Sequence, residues 1–299
     1  MNYLPASSPA FGGKNFPKVF IVILNYNGKE VIKKCLASVF KINYPNFEVV
    51  LVDNNSTDGS FEVAKINFSK ASFIKNEENL GFSSGINIGI KFSLERMAEY
   101  VFILNNDTEV DTEFLGHLVK VFRKDEKIGI TSPVIFETQT KEVWFSGGSI
   151  KWSRMKNKHS QSIKVQDYYE SGFISGCAML IKKEVFKKIG LFDEDFFLYW
   201  EDADFSLRAK KEGFKNVVVS DSWVYHSEQS RKQNKRKIYW LVISGLVFFK
   251  KNTPFRWRLW IKFWLFLRKT KNKVDLLFGD KYNAEIIKRA FDDFKKAGF

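Results

Sequence analysis

Four carboxylates and one histidine stand where their polar groups could do chemistry: Asp53, Asp107, the adjacent Glu201 and Asp202, and His226. Asp53 ends the apolar run "FEVVLVD", where a carboxylate can accept a hydrogen bond from a base N–H or a ribose hydroxyl. Asp107 ends "VFILNND", where an oxygen ligand can hold a hard divalent cation against phosphates. Glu201 and Asp202 open a helix, whose dipole favours an ionised carboxylate able to act as a base. His226 lies near the end of the last β segment, and its ring nitrogen can complete a metal shell. In this order the set suits the handling of a nucleoside diphosphate. Each group also has a plain structural use. Asp53 can cap the turn "DNNSTDG", Asp107 can cap the next helix, Glu201 and Asp202 can be ordinary helix-start carboxylates, and His226 can be structural. The case for chemistry rests on their occurring together.

The elements that must position them are legible. Up to about Gly129, short apolar runs ("KVFIVILNYN", "FEVVLVD", "VFILNND") alternate with stretches of helical spacing, which predicts a doubly wound, mostly parallel α/β sheet. Three strands end in polar clusters: Asn25-Tyr26-Asn27, Asp53-Asn54-Asn55 and Asn105-Asn106-Asp107. In such sheets ligands bind beyond the carboxyl ends of the strands, so these tips are expected to meet in one crevice. The glycine-rich "NLGFSSGINIG" precedes a helix and can bring backbone amides to a phosphate or sugar; Asn79, Gly81 and Asn87 are its donor-side candidates. It matches neither the dinucleotide fingerprint nor a P-loop. Further on, "VWFSGGSIKW" predicts strand, turn and strand. "SGCAMLIKKEVFKKIG" leads into a helix stopped by Gly190, and the "WED" helix is closed by Gly213.

Charge divides the chain. The net +14 lies entirely in residues 230–299, which carry 19 lysines and arginines against 5 acidic residues and four of the eight tryptophans. The division expected is a lead over 1–17, a catalytic region over 18–229 and a basic helical extension over 230–299. The two cysteines, Cys35 and Cys177, match no metal spacing and fit a reduced, cytoplasmic compartment. No charged region followed by an apolar stretch opens the chain, so no signal peptide is expected.

Taken in order, "VFIVILNYNG", "VVLVDNNSTDGS", "NLGFSSGINIGI", "VFILNNDTEV", "SGCAMLIKKEVFKKIGLFDEDFFLYWEDADFSLRAKKEGF" and "VVVSDSWVYH" follow the landmarks of family 2 glycosyltransferases. From Lys18 to His226 the chain resembles that family, and within it the bacterial rhamnosyltransferase-like branch. The resemblance implies a GT-A fold, a nucleotide-sugar donor, a divalent cation (Mg2+ or Mn2+) and inversion at the anomeric carbon. It implies that Asp53 reads the pyrimidine base, with Asn25 and Asn27 on the donor side. Asn105-Asn106-Asp107 falls where the family has Asp-x-Asp, with Asp107 as the second carboxylate and His226 as a metal partner. Asp202 matches the catalytic base, with Glu201 beside it; Gly176, Cys177 and Trp200 fall on the acceptor side. Asn105 replaces a carboxylate, and a neutral amide is a weaker ligand for a hard cation, so the burden shifts to Asp107, His226 and the diphosphate. The donor expected is dTDP-rhamnose or a UDP-sugar, and the acceptor a glycan or a lipid-linked sugar. A nucleotidyltransferase would need a glycine-rich, basic signature near the first strand, where "LNYNGKE" offers only Lys29.

"FRWRLWIKFWLFLRK" (255–269) is too short and too charged to span a bilayer, which takes about 20 apolar residues. On a helix Arg258, Lys262 and Lys269 share a stripe, interrupted by Leu265, and Trp257, Trp260, Phe263, Trp264 and Leu267 fill much of the rest. That pattern predicts a helix lying peripherally on an anionic membrane, at the inner face of the cell membrane. The competing readings are packing on the catalytic region or a homo-oligomer contact. No nucleic-acid motif accompanies the charge, so a nucleic-acid partner is not expected. The preceding "IYWLVISGLVFF" predicts a buried helix.

Overall fold

The computed structural model describes residues 16–227 and 234–298. Residues 1–15 of the expected lead, and the boundary at 229/230, lie outside the described residues.

The continuous apolar runs become central strands. β1 (Val19–Asn25), β2 (Phe47–Asp53), β3 (Ser72–Lys75) and β4 (Tyr100–Asn105) are parallel, in the order β3-β2-β1-β4. Helices α1 (Ile32–Val39), α2 (Ser60–Asn67) and α3 (Gly81–Glu95) make the crossovers. The order reverses at β1, which places a topological switch point between β1 and β4. Register then aligns the polar tips, with Asn25 opposite Asp53 and Leu24 opposite Asn105.

The glycines at 81, 85 and 89 recur at i, i+4 and i+8 along α3. A Cβ on Gly85 would lie 2.7 Å from Leu24 Cδ1, and one on Gly89 2.2 Å from Val22 Cγ1. These two glycines therefore serve close helix–sheet packing, not the phosphate approach expected of the motif.

Past β4 the sheet is mixed. β5 (Thr108–Val110), β6 (Ile128–Glu137), β7 (Val143–Phe145), β10 (Tyr168–Glu170), β11 (Ala178–Lys182) and β12 (Lys215–His226) extend it in the order β10-β12-β6-β11-β4, with β5 on β12 and β7 on β6. β11 runs antiparallel to both β4 and β6. No crossover helix precedes it, so nothing imposes a parallel return. The strand pair expected in "VWFSGGSIKW" forms as two strands with different partners. β7 pairs with β6, while β8 (Gly148–Lys151) pairs with β9 (Lys156–His159) as a separate hairpin.

Helices α4 (Phe114–Val121), α5 (Lys183–Ile189) and α6 (Glu201–Lys211) pack on this second half. α7 (Asn234–Asn252), α8 (Arg258–Phe278) and α9 (Lys281–Lys296) follow. α7 is a packed helix, as expected: Leu246, Val247, Phe248 and Phe249 join the main core. No described helix is long and apolar enough to cross a membrane.

Candidate active site

The tips of β1 and β2 form a buried polar corner. Asn25 Nδ2 lies 2.8 Å from Asp53 Oδ1 and 2.8 Å from Ser60 Oγ. Ser56 folds back as the turn predicts: its hydroxyl donates to Asp53 Oδ1 at 2.6 Å and its N–H to Oδ2 at 2.8 Å. Asp53 is wholly buried. Asn106 Nδ2 donates to Asn25 Oδ1 at 2.8 Å, which ties β4 to β1. Gly28 permits that contact, since a Cβ there would fall 2.3 Å from Asn106 Nδ2 and 2.4 Å from Asn25 Oδ1. Asn27 is exposed, has φ 52° and accepts from the Thr57 N–H at 2.9 Å; asparagine tolerates that left-handed conformation better than most residues.

Asn106 and Asp107 make the turn between β4 and β5, closed by Thr108 Oγ donating to the Asn105 carbonyl at 2.7 Å. β5 then pairs with β12 so that Thr108 faces His226, and the Ser227 N–H donates to the Asp107 carbonyl at 2.8 Å. This ladder sets His226 Nε2 3.2 Å from Asp107 Oδ1. The two atoms miss hydrogen-bond alignment, and Asp107 Oδ1 and His226 Nδ1 are both buried without a hydrogen-bond partner among the described residues. The Trp144 ring, edge-on at 4.8 Å, fixes the imidazole. A carboxylate oxygen and an imidazole nitrogen at this spacing suit adjacent corners of an octahedral shell, about 3 Å apart for ligand bonds of about 2.1 Å. The donor set fits a divalent cation. Among the described residues no three His, Cys, Asp or Glu side chains converge on such a site.

Asn105 is partly buried, and its side chain makes no hydrogen bond among the described residues. Its backbone N–H donates to the Cys177 carbonyl at 2.9 Å. Beneath it the Cys35 thiol approaches the Asn105 carbonyl at 3.6 Å; burial pushes that thiol up to about 12, so it is a neutral prop.

The carboxylate pair opens α6 after Tyr199 and Trp200, both left-handed at φ 69° and 72°. Two bulky residues held there in succession are strained and over-determined by their surroundings. Asp202 Oδ2 accepts from the Gly176 N–H at 3.1 Å and Oδ1 from the Ala203 N–H at 2.7 Å. Burial raises its pKa, and those N–H groups oppose the rise. Glu201 is more enclosed, with Oε2 buried and without a hydrogen-bond partner among the described residues. Burial and the neighbouring Asp202 charge push it well above the carboxylate range. Of the two, Glu201 is pushed further toward its protonated form.

Gly176 and Cys177, expected on the acceptor side, join the two halves of the site. Through backbone hydrogen bonds Gly176 holds the Asp202 carboxylate and Cys177 holds the tip of β4. Asn79 Oδ1 accepts from the Gly81 N–H at 3.0 Å and Asn54 Nδ2 donates to the Gly81 carbonyl at 2.8 Å, binding the start of α3 to the tip of β2.

Two expected site residues point elsewhere. Asn87 is buried and exchanges hydrogen bonds with the Phe192 backbone at 2.9 and 3.1 Å, so it clamps the 192–200 loop rather than facing a donor. The Trp200 ring packs on Phe248 and Phe249 of α7 at 4.8 and 5.2 Å, because the left-handed backbone turns it away from Asp202. Ser56, Ser60, Gly28 and Thr108 were not anticipated. The spacing of Asp53 and Ser56 in "DNNS" carries a turn signal for the first; the others answer only to tertiary contacts.

The glycosyl transferase family 2 model matches residues 20–190. A dTDP-rhamnosyl transferase of Shigella flexneri is 26% identical over 209 residues, 70% of this chain and 69% of that protein. A low-salt glycan biosynthesis hexosyltransferase of Haloferax volcanii is 30% identical over 236 residues, 73% of this chain and 71% of its own length. Among solved structures, a mannosyltransferase of Pyrobaculum calidifontis in complex with GDP-Man and Mn2+ aligns with a TM-score of 0.58 at 18% identity, covering 95% of this chain and 77% of that one. GalNAc-T7 with UDP, GalNAc and Mn2+ aligns at 0.61 and 21% identity, covering 78% of this chain and about half, 51%, of that one. With a GT-A fold and a match over more than half its length, the chain belongs to glycosyl transferase family 2 and is a glycosyltransferase.

Proposed function

We propose that the protein catalyses a metal-dependent, inverting transfer of rhamnose from dTDP-rhamnose to a hydroxyl of a glycan or lipid-linked acceptor in cell-surface polysaccharide synthesis. The observation that supports this reading is the double hold of Gly176 and Cys177, which ties the candidate base to the strand that leads into the candidate metal corner. The rhamnosyl donor draws support from the names of two relatives, the Shigella enzyme above and an N-acetylglucosaminyl-diphospho-decaprenol L-rhamnosyltransferase of Mycobacterium tuberculosis, 24% identical over 232 residues. The second name also supports a lipid-linked acceptor; in this reading the enzyme works peripherally at the inner face of the cell membrane. In this reading residues 18–229 form the catalytic part and 230–299 the extension.

Asp107 and His226 would hold Mg2+ or Mn2+ together with the diphosphate, and the cation would neutralise charge on the leaving group. Asp53, braced by Asn25 and Ser56, is the carboxylate assigned to the base in this reading. The acceptor oxygen attacks the anomeric carbon as the bond to the nucleoside diphosphate breaks. Its proton passes to Asp202, and the nucleoside diphosphate departs with the electron pair. A carboxylate cannot remove an alcohol proton in advance, so transfer is late and concerted; the upward shift of Asp202 favours it. One base and no covalent nucleophile give inversion.

The test is thermal shift and donor hydrolysis across dTDP-, UDP- and GDP-sugars, with and without Mn2+ or Mg2+. A metal-dependent response that is strongest with dTDP-rhamnose is expected. Stabilisation by no donor or nucleoside diphosphate would sink the reading.

A further inference from the structure

α8 carries most of the run predicted to lie on a membrane, and the structure shows which of its faces is uncovered. Ile261 and Asn272 are buried, and Trp264 and Leu265 pack against the core. Leu259, Phe263, Phe266 and Leu277 are 82%, 50%, 64% and 74% exposed. At 3.6 residues per turn these four fall within an arc of about 60°, a ridge about 27 Å long. Exposed Lys262, Lys269 and Lys273 follow one edge of it and make no ion pair among the described residues, although Lys269 also reaches over the Phe291 ring.

This differs from the face expected from sequence. Trp257 and Trp264 turn inward, their indole N–H groups buried, and Trp260 donates its N–H to the Ser153 carbonyl at 2.8 Å. The exposed ridge is made of Phe and Leu, with lysines alongside. Two copies meeting through it would bring lysine rows and two strongly basic segments together, so charge disfavours a second copy as the occupant. A nucleic acid would have to lie over an apolar centre. An anionic bilayer satisfies both parts, taking the ridge below the headgroups and the lysines onto lipid phosphates.

We infer that the Leu259–Phe263–Phe266–Leu277 ridge of α8 docks in the interface of an anionic bilayer. The inference rests on the membrane location in the proposed function and names the surface that achieves it. The Trp260–Ser153 hydrogen bond fastens α8 to the segment between β8 and β9, so docking orients the body of the enzyme, not a loose tail.

The experiment sediments full-length protein with vesicles of phosphatidylcholine alone or mixed with phosphatidylglycerol. Retention by the mixed vesicles is expected, about tenfold weaker on phosphatidylcholine alone and reduced by salt. A Phe266→Gln/Leu277→Gln variant, altered only at exposed positions, should lose at least about tenfold in affinity. Lys262→Gln/Lys269→Gln/Lys273→Gln should lose the preference for anionic lipid. A nucleotide-sugar thermal shift measured on the same proteins separates the two readings. Vesicle binding without any donor response keeps the docking surface and removes the proposed donor and metal reading. Wild-type protein found with neither vesicle, or a ridge variant that binds like wild type, overturns the inference. So does a solution dimer dissolved by the ridge substitutions, which would assign the face to a second copy.

Discussion

His226 Nε2 stands 3.2 Å from Asp107 Oδ1 because a three-residue strand, β5, pairs with the last turn-ward residues of β12. The contact joins positions far apart in sequence, and neither atom is aligned for a hydrogen bond with the other. Asp107→Ala should therefore abolish the metal-dependent thermal shift with nucleoside diphosphate and lower turnover by more than about 100-fold. Asn105→Ala, removing an amide without a described partner, should cost less than about tenfold. Equal losses would contradict a single-carboxylate metal corner. Metal titration with and without dTDP gives the second check, since two protein ligands predict tighter binding when the diphosphate is present.

The acid pair makes a prediction about pH. Glu201 is pushed well above the carboxylate range by burial and by the Asp202 charge, so the folded chain keeps a proton that the unfolded chain releases earlier. Its stabilising contribution is full at acid pH, below the unfolded value, and is lost as pH rises through the raised native value. Glu201→Gln should remove that loss, and urea denaturation at several pH values should show the variant gaining on wild type toward neutrality. Asp202→Asn should abolish turnover and leave the donor thermal shift intact. The acid limb of kcat/KM should be displaced upward from that of an unperturbed aspartate, since burial raises Asp202. Were Glu201→Gln inactive and Asp202→Asn active, the roles would be reversed.

Much of this was legible in sequence, for a simple reason. Strands buried on both faces read as unbroken apolar runs, so polar residues at their ends stand out, and Asn25, Asp53 and Asn105–Asn106 do meet. Trp200 was misread because its direction depends on two left-handed residues, neither of them glycine or asparagine, so nothing local announces the turn. Asn87 was misread because its partner, Phe192, lies 105 residues away. In α8 helical spacing gives the stripes, but contacts with the core and Ser153 decide which stripe is covered.

Gly28 offers a test of the amide corner. Gly28→Ala places a methyl group against the ends of Asn106 and Asn25, side chains that can part but only by losing their hydrogen bond. A raised donor KM with little change in melting temperature is expected; an unchanged KM would remove the corner from donor binding. The contrasting variant is Gly89→Ala, whose methyl meets Val22 Cγ1 in the middle of β1. It should cost about 1–3 kcal/mol in urea denaturation, because a packed β-branched side chain has nowhere to go.

The clamp from α7 can be weakened at one atom. Asn252 Nδ2 donates to Asp204 Oδ1 at 2.7 Å, while Arg208 holds Oδ2 at 2.7 Å. Asn252→Ala leaves a buried carboxylate oxygen short of a donor, a loss of about 1–3 kcal/mol. Because Asp204 lies one residue past Ala203 on the same first turn as Asp202, kcat should fall more than donor KM rises.

That clamp also constrains how such proteins can be recombined. Trp200 is wedged under Phe248 and Phe249, Ser244 donates to the Leu198 carbonyl at 2.8 Å, and Trp240 stacks on Phe197 at 4.2 Å. The loop that presents the acid pair and helix α7 are thus two halves of one moulding. A chimera that takes its first 227 residues from this chain and its C-terminal helices from a relative would inherit a mismatched mould. Exchanging residues 191–252 as a single block keeps the loop and α7 together.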